Sequence, residues 1–132
     1  MKIMHIIQMM RIGGAQQTLI NIIKGTRQHE HIIYSTLNDY VDTVNVLNIR
    51  FINSSKINIY RVLQKELPDI VLFHWWPGVY EYNFKRIRKI SKINFRILVT
   101  IQDPERLQDD VGDYYVFCSE FVKNQQHERI KN

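Results

Sequence analysis

The stretch KIMHIIQMMRIGGAQQTLINIIKG, residues 2–25, decides the fold class. It joins an apolar run to an amphipathic helical pattern through two adjacent glycines, Gly13 and Gly14. The chain has only 5 glycines, so the pair indicates either a tight turn or a ligand that approaches the backbone closely. The N–H groups that open a helix suit a diphosphate. The loop is neither G-x-G-x-x-G nor a Walker loop, so both interpretations remain open.

The same alternation of apolar runs and helical patterns continues along the whole chain. Runs rich in β-branched residues predict strands at 2–8, 31–37, 49–53, 69–75, 95–101 and 114–119. Amphipathic patterns predict helices at 15–27, 56–66, 83–93 and 119–131, with a weaker pattern at 40–48. Strands this apolar are typical of parallel sheets covered on both faces. We therefore predict an α/β fold, a Rossmann-like doubly wound parallel sheet of about six strands, with 3-2-1-4-5-6 as the default order.

Length and composition agree with one globular domain over residues 1–132. Hydrophobic residues make up 45% of the 132 residues and charged residues 23%, which is enough for a core. No apolar run approaches the ~20 residues of a membrane span. The chain has a single cysteine, Cys118, so it forms no internal disulfide, as is typical of a reducing compartment. We expect Cys118 to be a buried core residue. A net charge of +5 favours anionic partners.

Ligands of doubly wound sheets bind beyond the carboxyl ends of the strands, where the strand order reverses. This rule selects the residues that follow the first, fourth, fifth and sixth strands. Our candidate site residues are Arg11, Gly13, Gly14, His74, Trp75, Trp76, Gln102, Asp103, Ser119 and Glu120.

The aromatic pair Trp75-Trp76 is open to two interpretations. Adjacent strand residues point to opposite faces, so the pair could offer a platform for a sugar or lipid acceptor, with His74 bonding a hydroxyl. Alternatively, both rings pack under helices. His5, inside the first strand, is expected in the core. Ser119 and Glu120 are most simply the N-cap and first turn of the last helix, with a phosphate or acceptor contact as the alternative.

Two segments of the chain are rich in charged residues. The acidic residues between Asp103 and Asp113 lack EF-hand spacing and favour a solvated loop over a metal site. The basic residues of the third helical pattern indicate either a solvent-facing surface or attraction to anionic lipid headgroups. These residues are Lys85, Arg86, Arg88, Lys89 and Lys92. Nothing accompanies them that is typical of nucleic-acid binding.

Four segments in order give a more specific indication. The opening strand with its Gly-Gly-Ala-Gln joint is similar to the start of the retaining GT-B glycosyltransferases of family four. PDIVLFHWW (68–76), RILVTIQDP (96–104) and VFCSEFVK (116–123) resemble three later motifs of the same family. Two positions depart from its pattern. Gln16 replaces the usual Glu, and Gln102 replaces a His that contacts the sugar or acceptor in the family.

The resemblance implies that residues 1–132 form the acceptor-side, N-terminal domain of a glycosyltransferase. Gly13 and Gly14 would hold the donor diphosphate, and the remaining candidate site residues would line the acceptor side. A nucleotide sugar would be the substrate, with no cofactor and no metal. The donor-binding C-terminal domain is missing from the chain, so we expect the chain to be inactive alone. A cytoplasmic location at the membrane face is also expected.

Two other functional classes share the predicted fold. One is a non-catalytic module that binds a phosphate-bearing ligand or a protein partner. The other is a nicotinamide dehydrogenase or flavodoxin-like domain. The missing G-x-G-x-x-G disfavours the dehydrogenase, as does a second strand that runs out in Leu37-Asn38 without a clear acidic residue.

Overall fold

A computed structural model describes residues 1–8, 14–35, 49–53, 58–74, 84–101 and 112–117. The strands are β1 (Lys2–Ile7), β2 (Glu30–Ser35), β3 (Arg50–Asn53), β4 (Ile70–His74), β5 (Arg96–Ile101) and β6 (Tyr114–Phe117). The described helices are α1 (Gly14–Gly25), α2 (Ile59–Glu66) and α3 (Phe84–Ser91). The helices predicted at 40–48 and 119–131 lie outside the described residues.

The six strands of the described residues are all parallel and form one sheet in the order β3-β2-β1-β4-β5-β6. The predicted fold class and strand order are confirmed. β1 lies at the centre, where Ile3 pairs with His31 of β2 on one side and with Ile70 of β4 on the other. The chain first builds outward from β1 to β3 and then returns to β4. The order therefore reverses between β1 and β4, which is the position where such sheets bind ligands.

The helices cover both faces of the sheet, as a doubly wound fold requires. Leu19 and Ile23 of α1 pack against Ile7 and Ile33 on one face. On the other face, residues of α2 and α3 join the opposite side chains of the strands in a larger core. That core contains Met4, Ile6, Tyr34, Ile59, Val62, Leu63, Val71, Phe73, Phe84, Phe95, Ile97 and Val99. Burial on both faces explains why the strands read as nearly continuous apolar runs.

Two helix ends show how the boundaries are set. α1 ends at Gly25, two residues before the predicted end, because the Thr26 carbonyl accepts the His29 N–H at 3.0 Å instead of continuing the helix. α2 ends at Glu66, as predicted. Leu67 follows in the left-handed conformation at φ 47°, donates its N–H to the Leu63 carbonyl at 3.0 Å, and precedes Pro68.

Candidate functional site

The described part of the predicted site lies at the carboxyl edge of the two central strands. α1 begins at Gly14, after β1, and β4 ends at His74. β1 and β4 are neighbours. The helix that follows β1 packs on one face of the sheet, and the helix that follows β4 packs on the other. Gly14 and His74 therefore belong to the two segments that border the reversal point.

The other candidate residues lie outside the described part of the chain. These residues are Arg11, Gly13, Trp75, Trp76, Gln102, Asp103, Ser119 and Glu120. Their assignments, and that of Cys118, stay predictions.

His74 is 1% exposed, and protein groups occupy both of its ring nitrogens. Its Nε2 lies 3.2 Å from His5 Nδ1, and its Nδ1 lies 3.3 Å from Thr100 Oγ1. Burial lowers the pKa of His74 to about 3, so the ring is neutral at physiological pH. A direct bond to an acceptor hydroxyl would require His74 to exchange one of these partners. That role stays a prediction.

The hydrogen bonds of His74 belong to a longer row of buried polar groups. His5 Nε2 lies 2.9 Å from His31 Nδ1, and His31 Nε2 lies 2.9 Å from the Thr26 carbonyl and 3.1 Å from Thr26 Oγ1. Ring centroids are 5.1 and 5.5 Å apart, with planes within 28° and 20° of parallel. Since nitrogens make the close contacts, the rings meet edge to edge. We call His31, His5 and His74, with Thr26 and Thr100 at the ends, the histidine row.

Strand register explains why these three rings meet. Residues at alternate positions of paired parallel strands share one face, and this rule places all three histidines on the α1 face. His31 pairs with Ile3, His5 pairs with Leu72, and His74 pairs with Thr100. Each ring thus lies two residues farther along than its neighbour. The row runs diagonally over about 13 Å of strand, from the amino edge of the sheet to the carboxyl edge.

One carbonyl group fixes the proton positions in the row. The Thr26 carbonyl oxygen can only accept, so His31 Nε2 carries a proton. In a neutral ring, His31 Nδ1 must then accept, and His5 Nε2 must donate to it. The same reasoning makes His74 Nε2 the donor to His5 Nδ1. Three neutral rings therefore share the Nε2–H tautomer, and His74 Nδ1 is left as an acceptor toward Thr100.

Sequence reasoning placed His5 in the core, where it is 0% exposed, but it missed His31, Thr26 and Thr100. The sequence feature that could have indicated the row is the presence of a histidine on each of three strands that are neighbours in the default strand order. Their contact depends on register, which the sequence pattern does not specify to the residue. Burial, followed by the neighbouring His74 and His31, holds the pKa of His5 well below its usual range.

Within the described ranges, no group of three or more His, Cys, Asp or Glu side chains is arranged to hold a metal ion. Each nitrogen of the histidine row already has a protein partner. Of the acidic segment, Asp113 is described. It accepts hydrogen bonds from Arg88 Nη2 at 3.0 Å and from the Ile97 N–H at 2.8 Å, so it joins elements of the fold.

The basic helix α3 divides its residues between the fold and the surface. Arg88 contacts Asp113, donates to the Phe95 carbonyl at 2.9 Å and lies 6.0 Å from the Phe95 ring centroid. Arg86 and Lys89 are exposed and Lys85 is half-buried, while Lys92, which follows the end of α3 at Ser91, is exposed. No α-helix in the described ranges combines the length and apolar character needed to traverse a lipid bilayer.

Models of protein families give no match, and a search among curated proteins gives none. The fold and the geometry of its central edge are therefore the observations from which a function is inferred.

Proposed function

We propose that the chain is the acceptor-side, N-terminal domain of a GT-B glycosyltransferase that moves a sugar from a nucleotide-sugar donor to an acceptor. A separate donor-binding domain would complete the enzyme. The proposal rests on the ordered motif resemblance together with the fold. The observation that carries it is the start of α1 at Gly14, beside the point where the strand order reverses between β1 and β4.

The start of α1 suits a donor diphosphate for electrostatic reasons. The first turn of a helix presents backbone N–H groups without intrahelical partners, and the aligned peptide dipoles add a partial positive charge. No acidic side chain lies in this first turn to compete with an anion. Glycines at positions 13 and 14 would allow the diphosphate to reach the amides without meeting a Cβ atom.

Catalysis in this proposal consists of positioning and of stabilising the negative charge that develops on the leaving diphosphate. Nucleotide sugars carry their own leaving group, so the reaction needs neither a cofactor nor a metal from this domain. The acceptor would enter beside β4 and β5, where Trp75, Trp76, Gln102 and Asp103 follow the described strands. His74 would contribute to the acceptor side either by contacting an acceptor hydroxyl or by supporting the residues that do.

A membrane-bound acceptor would agree with the surface of α3. Arg86 and Lys89 are exposed beside Ile90, which is 60% exposed. Basic residues near an anionic bilayer contribute roughly 1 kcal/mol each. In this proposal Lys85, Arg86, Lys89 and Lys92 face the lipid headgroups, whereas Arg88 is held within the fold by Asp113. A cytoplasmic location at the membrane face follows.

The test compares valine substitutions at the two ends of α1 in the protein encoded by the full reading frame. Gly14→Val places a branched side chain where the diphosphate would bind. Gly25→Val is the matched control, because an added Cβ there meets nothing within 4 Å. We expect Gly14→Val to lower kcat/KM for sugar transfer by about tenfold or more, since one charge-assisted hydrogen bond contributes roughly 1.5–3 kcal/mol. Transfer that survives Gly14→Val at the rate of the control would refute the role of this joint.

A non-catalytic binding module is the second candidate, and the outer strand gives it some support. On β6, Tyr114 is 56% exposed and Val116 is 50% exposed, and exposed apolar side chains on an edge strand favour association. Analytical ultracentrifugation of the 132-residue chain tests this. A stable dimer that Val116→Lys dissociates, without transfer activity in the full reading frame, would favour the module over the enzyme.

A further inference from the structure

The two ends of the histidine row differ in their chemistry. At the amino edge of the sheet, His31 faces the Thr26 carbonyl, which only accepts hydrogen bonds. At the carboxyl edge, His74 faces the Thr100 hydroxyl, which can either donate or accept. The Thr100 hydroxyl also lies 3.3 Å from the Phe73 carbonyl, so its single proton has two possible acceptors. The hydrogen bond at the carboxyl end of the row, between His74 and Thr100, can therefore reverse its direction, whereas the bond between His31 and the Thr26 carbonyl cannot.

One added proton can be accommodated at His31 without leaving any group unpaired. His31 then donates from Nε2 to Thr26 and from Nδ1 to His5 Nε2. His31 Nδ1 receives this proton from His5 Nε2 along their hydrogen bond, and His5 Nδ1 in turn receives the proton of His74 Nε2. His74 Nδ1 receives the proton of the Thr100 hydroxyl, and Thr100 Oγ1 takes a proton from solvent and directs it to the Phe73 carbonyl. His5 and His74 keep one proton each, so the row takes up one proton from solvent in total.

His31 is the ring best placed to carry the charge. It is 8% exposed, compared with 0% for His5 and 1% for His74. Its Nε2 lies at the carboxyl end of α1, where the helix dipole favours a cation. Thr26 Oγ1 donates to the Ile22 carbonyl, so both Thr26 oxygens can accept from His31.

The charged side chains nearest to His31 in the sequence do not disturb the hydrogen bonds of the histidine row. By the alternation of strand residues, Lys2 and Glu30 lie on the opposite face of the sheet, where they contact each other. Lys24 and Arg27, at the end of α1, are exposed to solvent and screened by it. The groups near His31 on its face of the sheet are Ile33 of its own strand, Ile3 and His5 of β1, Phe51 of β3, and Ile49 just before β3.

We propose that the histidine row is a proton-driven tautomer relay, in which uptake of one proton places the positive charge on His31 and reverses each hydrogen bond out to Thr100. His74 Nδ1 thereby changes from an acceptor to a donor at the carboxyl edge of the sheet. The relay links the two edges of the sheet through the core. It goes beyond the proposed function, and it holds whether or not the protein transfers a sugar.

Nuclear magnetic resonance of the ¹⁵N-histidine-labelled 132-residue chain tests the relay directly. Long-range ¹H–¹⁵N spectra distinguish protonated from unprotonated ring nitrogens. At mildly alkaline pH we expect the Nε2–H tautomer for His5, His31 and His74. On acidification, His5 and His74 should convert to the Nδ1–H tautomer in the same step in which His31 becomes doubly protonated.

His31→Gln separates the relay from a direct pH effect on His74. The glutamine amide can accept from His5 and donate to the Thr26 carbonyl, but it does not titrate. In this variant His74 should keep its Nε2–H tautomer across the pH range of the wild-type conversion. His29→Gln, two residues away and outside the row, should retain the conversion.

Two results would overturn the relay. One is a wild-type His74 that stays Nε2–H while His31 takes up a proton. The other is a His31→Gln variant in which His74 still converts. If His31→Gln does not fold, the wild-type titration is sufficient, because the same spectra report the protonation of His31 and the tautomer of His74.

Discussion

At the scale of single residues, close packing and hydrogen-bond pairing leave little freedom. Gly112 shows this most clearly. A Cβ atom added there would lie 2.5 Å from Val99 Cγ2 and 3.4 Å from the Ile97 carbonyl oxygen. Val99 is itself fully buried in the larger core. The backbone before β6 can therefore approach β5 only because position 112 has no side chain.

Gly112→Ala should accordingly destabilise the protein by about 1–3 kcal/mol, the usual cost of overpacking a core. Val99 is β-branched and cannot easily turn its methyl group away. Urea unfolding followed by circular dichroism measures the loss. Val99→Ala removes the clashing methyl, so the double variant should show a favourable coupling between the two sites. Additive effects of the two substitutions would show that the clash is not the cause.

At the scale of elements, ion pairs connect helices to strands at the amino edge of the sheet. Glu66, at the end of α2, contacts Lys2 of β1 and Arg50 of β3. Its side chain is 6% exposed, and the hydrogen bond from Arg50, followed by that from Lys2, lowers the pKa of its carboxyl group. The Arg88–Asp113 pair does the same for α3, since Asp113 precedes β6 and accepts the Ile97 N–H of β5.

Arg88→Lys should weaken the attachment of α3 by about 1–2 kcal/mol although it keeps the charge. Lysine cannot reproduce the forked contact with both Asp113 oxygens together with the bond to the Phe95 carbonyl. Chemical denaturation gives the change in the free energy of unfolding. Lys89→Gln, one residue away and exposed, is the matched control and should change it little. Equal losses in the two variants would contradict a specific role for Arg88.

At the scale of the whole molecule, the buried histidines make stability depend on pH. His74 has a pKa of about 3 in the folded chain, compared with 6.5 as its ordinary value, and burial also lowers the pKa of His5. Below pH 6.5 the unfolded chain binds protons at these two positions that the folded chain does not. Their contribution is fully present above pH 6.5 and is lost as the pH falls.

The free energy of unfolding should therefore decrease on acidification below pH 6.5, with a slope that rises to about 1.4 kcal/mol per pH unit for each of the two histidines. Denaturation curves at a series of pH values measure this slope. His74→Gln should reduce this slope by the contribution of one histidine. The carboxyl groups of Glu66 and Asp113, whose pKa values are lowered chiefly by Arg50 and Arg88, add a second loss at lower pH. A stability that is constant between pH 6.5 and 5 would contradict the buried neutral state.

The sequence by itself determined the parallel α/β sheet and most element positions, because continuous apolar strands and amphipathic helices must bury their faces in this arrangement. It also indicated Gly14 and His74 as edge residues. Only the tertiary structure decided that His5, His31 and His74 form one row, since contact between them depends on strand register, a property of paired strands rather than of any one segment. The same holds for Arg88, which the charge pattern grouped with surface residues and the fold pairs with Asp113.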